Sequence, residues 1–178
     1  MTKNIFLIIC LSFIITNLGF GQIYSVPSED NPIINITVPT DLWEFSRSRT
    51  MVNISPIESG EDDRLLVMLW ASDNPGLENA LDIITSDALA IAGSFLKNLS
   101  LEDESYKFTI NNTSFIAIDG YGYYKNDDNS EDMMTTTIML FLPDKNNIMA
   151  LVYFATTEAN EKWNKDLKDV INSITPVN

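Results

Sequence analysis

The 178-residue chain has no histidine and one cysteine, and it sets only 11 lysines and arginines against 25 aspartates and glutamates. Each shortage excludes something. Without imidazole there is no Ser-His-Asp triad, no Cys-His dyad and no histidine-ligated zinc. The lone Cys10 lies in an N-terminal apolar run, so once that run is removed neither disulfides nor thiol chemistry remain. A net charge of −14 argues against nucleic acid and anionic lipid as partners, because phosphate contacts need clustered lysine and arginine. The compact cationic feature, Arg47-Ser48-Arg49, is too small to supply them. Paired carboxylates or a Ser-Lys pair remain formally open, but the commonest hydrolytic machinery is missing. The chain is therefore expected not to be an enzyme, with an uncharacterised hydrolase as the minor alternative, and no catalytic residue is assigned.

What is present begins with an export signal over residues 1–21. Lys3 supplies a positive start, and residues 5–15 are apolar except for Ser12. Gly19 and Gly21 then stand three and one positions before a cut ahead of Gln22. The apolar run is shorter than the roughly 20 residues that span a bilayer, which favours cleavage over the alternative, a retained anchor. Ile8 and Ile9, where a lipid-modified cysteine needs small neighbours, argue against a lipoprotein at Cys10. The expected location is periplasmic or secreted, with no transmembrane segment after cleavage. Residues 22–32 are polar, with Pro27 and Pro32, and suggest a flexible lead-in. Residues 33–178 are expected to form a single α+β domain.

Within that domain, residues 33–38 alternate in the manner of a half-buried strand, and Trp43 follows as part of a short apolar anchor. Residues 50–54 suggest a second strand, and 65–70, apolar throughout, a strand covered on both faces. Asn74 and Pro75 make a good helix start. Leu77, Leu81, Ile84, Ala88, Ile91, Phe95 and Leu99 then recur at helical steps, with Gly93 expected to allow close approach to a sheet. From Tyr106 the chain turns to strands at 106–110, 115–124, 133–142 and 148–155. Asn111-Asn112 is a natural hairpin turn, and Gly120 and Gly122 invite a bulge or strong twist. The last helix carries Glu158 and Glu161 in its first turns and Trp163, Leu167, Val170, Ile171 and Ile174 on one face. Together these predict an α+β fold: a largely antiparallel sheet of about six or seven strands flanked by two main helices.

This order of elements resembles the PsbP/Mog1 group, which includes DcrB-like bacterial periplasmic proteins. The resemblance rests on a strand ending in Val38-Pro39 with Trp43 close behind, the middle helix, and the run of antiparallel strands. It ends with the Trp163-bearing helix that closes in Ile171-Asn172-Ser173-Ile174. It implies an antiparallel sheet sandwiched by helices, in a group of mostly binding or assembly proteins. That group includes a GTPase-binding protein, an accessory subunit of the photosynthetic oxygen-evolving complex and chaperones for secreted effectors. It brings no active-site motif to carry over.

Two surface stretches are candidates for function. Tyr121, Tyr123 and Tyr124 cluster beside glycines that let a partner approach, and suggest a binding patch. Asp127, Asn129, Glu131 and Asp132 place oxygen ligands as calcium loops do, although the glycine and the closing glutamate of an EF-hand are absent. A second acidic stretch holds Glu58, Glu61, Asp62 and Asp63. The bland alternative for both acidic stretches is a solvated turn. The expected function is therefore an exported, non-enzymatic binding or assembly module that recognises a protein in the cell envelope. The alternative is a small-ligand or Ca²⁺-binding periplasmic domain, and no cofactor besides Ca²⁺ is suggested.

Overall fold

One strand divides its side chains between two cores, and the architecture follows from it. In the computed structural model, which describes residues 21–48, 51–60, 62–72 and 77–177, Met149, Leu151 and Ala155 belong to one hydrophobic core. Ala150, Val152 and Phe154 belong to the other. Successive side chains of a strand leave on opposite faces, so a strand apolar at every position has to be covered twice. This strand is β10 (Met149–Thr156), paired antiparallel on one side with β5 (Leu65–Ala71) and on the other with β9 (Glu131–Phe141). Leu65, Val67 and Leu69 of β5 join the first core, and Met68 and Trp70 the second.

Around this centre the sheet grows in both directions. β4 (Met51–Pro56) and β3 (Trp43–Arg47) extend it beyond β5. β8 (Thr113–Lys125) and then β6 (Lys97–Leu101) extend it beyond β9, with β7 (Tyr106–Ile110) pairing the first half of β8. The β7–β8 hairpin turns on Asn111 and Asn112 at φ 46° and 64°, which leaves Ile110 opposite Thr113. Two left-handed residues in a two-residue loop match the twist of a tight hairpin, and asparagine tolerates that region better than most side chains. A second sheet of three strands, β1 (Gly21–Pro27), β2 (Pro32–Pro39) and β11 (Thr175–Pro176), packs Ile34, Ile36 and Val38 into the first core.

Among the described residues two helices cover opposite faces of the main sheet. α1 (Leu77–Phe95) supplies Ile84, Ala88 and Ala92 to the second core. α2 (Thr157–Asn172) supplies Trp163, Leu167, Val170 and Ile171 to the first. Thr156 caps α2: its hydroxyl accepts the Ala159 N–H at 3.2 Å while donating to the Asp62 carbonyl at 2.6 Å. The Trp163 ring meets Trp43 edge-on at 5.7 Å and so ties the helix to the far edge of the sheet.

Several expectations are corrected here. Residues 22–32 are not a loose lead-in: β1 pairs β2 from Gly21↔Pro39 to Pro27↔Pro32, Val26 is buried, and Tyr24 stacks on Phe45 at 3.8 Å. Its polar composition and two prolines hid the first arm of a hairpin that turns straight into β2. The main sheet has eight strands rather than six or seven, and residues 32–39 belong to the separate small sheet. α1 stops at Phe95; Leu99 lies in β6, which still reaches the second core, so helical spacing continued past the helix by coincidence. Gly93 faces open space rather than the sheet. β8 keeps unbroken register with β9, and the irregularity near Gly120 and Gly122 falls in the pairing with β6, between Lys97 and Ser100. Residues 1–20 of the export signal, the cap at Asn74 and Arg49 lie outside the described residues, while Gly21 opens β1.

Candidate functional site

α2 covers only part of its face of the sheet, and beside it a cleft of about 560 Å³ opens towards β7 and β8. Its floor is set by strand alternation. Phe115 and Ala117 of β8 enter the first core, so Asp119 and Tyr121 leave on the same face, where the helix no longer covers the sheet. Asp119 thus stands in a position that continues a core row. It is half-buried, and its partner across the ladder is Thr137 of β9.

The carboxylate is held by neighbours on both sides. Thr137 Oγ1 donates to Asp119 Oδ1 at 2.5 Å, and the Tyr106 hydroxyl donates to the same oxygen at 3.2 Å. The main chain adds a contact, the Glu102 N–H donating to the Asp119 carbonyl at 2.8 Å. On the helix wall, Asn160 Nδ2 donates to Thr135 Oγ1 at 2.7 Å, and Thr135 Oγ1 donates to the Ala155 carbonyl at 3.2 Å. The wall and floor are therefore tied together by side chains rather than merely adjacent. Tyr121, Tyr153, Asn164 and Lys168 complete the polar and aromatic lining.

Burial, and then the charge and hydrogen bond of Asp119, push the Tyr106 phenol up to about 12. Tyr106 therefore remains a proton donor across the physiological range. The cleft combines one half-buried carboxylate, aromatic faces, hydroxyls and side-chain amides. Such groups can accept and donate hydrogen bonds and stack on a ligand.

The three tyrosines expected to form one patch are split. Tyr121 lines the cleft at 43% exposure. Tyr123 leaves β8 on the same face, half-buried opposite Met133 and Lys97. Tyr124 takes the opposite face, against the second core, with the Arg64 guanidinium 4.1 Å from its ring centre. The period-two geometry of a strand separates neighbours in sequence, so adjacent tyrosines cannot share a surface.

The acidic loop spends its oxygens on itself. Asp128 accepts from the Ser130 N–H at 2.8 Å and from the Ser130 hydroxyl at 2.6 Å, and the Ser130 bonds hold its carboxyl below the usual range. Asn126 Nδ2 donates to Asp132 Oδ2 at 2.7 Å, and Glu131 pairs with Lys97 at 3.1 Å. Asp127 is exposed, and Asn129 sits in the left-handed region at φ 69°. Among the described residues no three acidic, histidine or cysteine side chains stand together in a way that could hold a metal ion. In the second acidic stretch, Asp63 binds the Lys162 ammonium and the Gly60 N–H, while Glu61 lies outside the described residues. Ser94 and Lys97 stand at a Ser-x-x-Lys spacing that sequence reasoning overlooked. The structure turns the Ser94 hydroxyl onto the Ile91 carbonyl and Lys97 onto Glu131.

Sequence reasoning also missed Asp119, Thr137, Tyr106 and Asn160. For the first two a signal existed. Asp119 is the single acid in the strand run from Phe115 to Tyr124, and Thr135-Thr136-Thr137 interrupts an otherwise apolar strand. A polar residue inside a buried pattern marks a place where function or a hydrogen bond outweighs packing. Nothing local marks Asn160.

No family model and no curated protein sequence matches this chain. Solved structures do. LpqN of Mycobacterium tuberculosis, described as involved in cell envelope biogenesis, superposes with a TM-score of 0.54 at 12% identity, over 94% of this chain and 96% of its own. The cyanobacterial PsbP protein CyanoP from Synechocystis gives 0.53 at 12% identity, over 90% of this chain and 95% of its own. A Pseudomonas aeruginosa protein of unknown function gives 0.50 at 10% identity, over 90% and 99%. The fold is thus PsbP/Mog1-like, an α+β sandwich with a large antiparallel sheet.

Proposed function

We propose that this chain is an exported, non-enzymatic binding or assembly module that recognises a protein partner through the cleft beside α2. The observation that carries the reading is the exposure of Tyr106 and Tyr121, at 45% and 43%, around the half-buried Asp119. Large amphipathic rings left in solvent next to satisfied polar groups are typical of recognition surfaces, where tyrosine contributes area at low entropic cost. The export pattern of residues 1–21 and a fold shared with an envelope-biogenesis protein support a place in the periplasm or outside the cell. Among the described residues no helix is long and apolar enough to cross a membrane.

A photo-crosslinker placed at Tyr121, and separately at the distant exposed Ile57, tests this in the envelope fraction of the native cell. A single partner captured from Tyr121 and not from Ile57 supports the reading. Equal capture from both positions, or none, overturns it.

A second reading, a small-ligand site, is favoured by the cleft volume of about 560 Å³. That lies within the roughly 300–1,000 Å³ typical of ligand pockets. A small molecule retained through purification and displaced by Tyr121→Trp would establish it.

A further inference from the structure

We propose that the cleft is a cation pocket, in which Asp119 and the rings of Tyr106 and Tyr121 receive an arginine or lysine side chain presented by the partner. The inference rests on the partner reading above and names the chemistry of what enters. Asp119 uses Oδ1 for both of its side-chain hydrogen bonds. Both of those neighbours are uncharged, so its negative charge is oriented but not neutralised. The ion pairs formed among the described residues join Lys97 to Glu131 and Lys162 to Asp63, both away from the cleft. A half-buried carboxylate fixed by hydroxyls is a preorganised acceptor for a charge-assisted hydrogen bond.

The surroundings favour the same sign. Tyr106, Tyr121 and Tyr153 line the cleft, and ring faces attract cations through their quadrupole. Glu102 stands on the rim, followed in the same β6–β7 connection by the exposed Asp103 and Glu104. Among the described residues Lys168 is the one cation lining the cleft, and the whole chain carries −14, so the field at the mouth draws positive groups inward. On the far side of β8 the chain satisfies the same demand internally. Arg64 lies over the Tyr124 ring at 4.1 Å with its Nη1 donating to Asn126 Oδ1 at 3.1 Å. The cleft presents a comparable tyrosine-and-oxygen setting with no guanidinium of its own.

A polypeptide is a better source than a free amine. The cleft is far larger than one guanidinium, and Asn160 and Asn164 on the helix wall offer amide groups that match a peptide backbone. Lys168 at the rim suits a partner's carbonyl oxygen and discourages a second cation.

The test is a ¹⁵N NMR titration of the protein with acetyl-Gly-Arg-Gly-amide, run beside the same peptide carrying citrulline and beside free agmatine. Saturable shifts confined to Gly120, Tyr121, Thr137 and Asn160 are expected with the arginine peptide. Citrulline, which keeps the shape and loses the charge, should weaken binding about tenfold, as should Asp119→Asn, each removing one charge-assisted contact. The citrulline peptide leaves the protein intact, so the result stands even if Asp119→Asn fails to fold. Shifts spread equally over the loops at 58–63 and 126–132, or citrulline binding as well as arginine, would overturn the proposal. Agmatine binding as tightly as the peptide would overturn the polypeptide source. Peptide binding as described, with no partner captured at Tyr121, would sink the partner reading and leave the pocket standing.

Discussion

Asp119 and Thr137 face each other across β8 and β9, and the threonine hydroxyl donates to the carboxylate at 2.5 Å. The pair sits where both strands would otherwise continue the first core. Thr137 is 3% exposed, so its hydroxyl has few alternatives to that bond. Thr137→Val keeps the shape and removes the donor. Because Asp119 is half-buried and water can replace the donor, the loss should fall at the low end for a charged hydrogen bond, about 1.5 kcal/mol, read as a lower urea midpoint at unchanged slope.

Tyr106 supplies a spectroscopic handle on the same site. Its phenol is pushed up to about 12 by burial and by Asp119, against about 10 in an unfolded chain. A pKa raised on folding contributes stability that is complete below about pH 10 and lost as pH rises through about 12. Absorbance at 295 nm should therefore show one tyrosine ionising late. Asp119→Asn should move that step back towards 10, with burial holding it short of the ordinary value. Tyr106→Phe should lose less stability than the parent between pH 10 and 12.

The glycines separate by what surrounds them. A Cβ at Gly122 would lie 2.7 Å from Leu96 Cβ, and one at Gly120 would lie 2.7 Å from the Ser100 carbonyl oxygen, so neither neighbour can move cheaply. Gly122→Ala and Gly120→Ala should each cost about 1–3 kcal/mol and loosen β6 from β8. Gly93→Ala meets nothing within 4 Å in the last turn of α1 and should stabilise by roughly 0.4–1 kcal/mol through the unfolded chain. Thermal midpoints of the three variants check the contrast in sign.

Acid should act through Asp63. The Lys162 ammonium, then the Gly60 N–H, hold its carboxyl below the usual range. A pKa depressed on folding contributes stability present above the unfolded value of about 3.9 and lost as pH falls through the lower folded value. Lys162→Met should be slightly less stable than the parent at pH 7, by the small amount usual for exposed pairs. That deficit in melting temperature should vanish as pH falls below about 4, where the parent loses the same increment.

Trp163→Ala would empty the contact between α2 and Trp43, whose rings meet at 5.7 Å. The expected cost is roughly 3–5 kcal/mol, with loss of the near-ultraviolet circular dichroism of the paired indoles. Trp163→Phe should retain most of the stability while losing that signal.

Strands that bury both faces could be recognised from composition alone. Residues 65–70 are apolar at every position, 148–155 nearly so, and both runs occupy the centre of the sheet. α2 was equally legible, because its apolar face, its acidic first turn and its terminus agree with one another. The strands that escaped were β1, β3, β6 and β11. Each is short or polar, and each is defined by a partner strand rather than by its own pattern, as Gly21–Pro27 is by β2. β6 and β11 pair with strands that are not their neighbours in sequence, which local pattern cannot report. β1 and β3 pair with the next strand and escaped because their own composition is mixed.

The chain by itself settled the class of the fold, the two covered faces of the central strands, and the absence of histidine-based chemistry. These follow from residue types and from periods of 2 and 3.6 residues, which are local properties. Only the tertiary structure decided where the surface concentrates chemistry. It split Tyr121 from Tyr124 across the sheet and turned Asp128 onto Ser130. It also brought Tyr106, Asp119, Thr137 and Asn160 to one cleft from three strands and a helix. A site assembled from four elements depends on register and on how far a helix extends over a sheet, and neither is written in any single stretch of sequence.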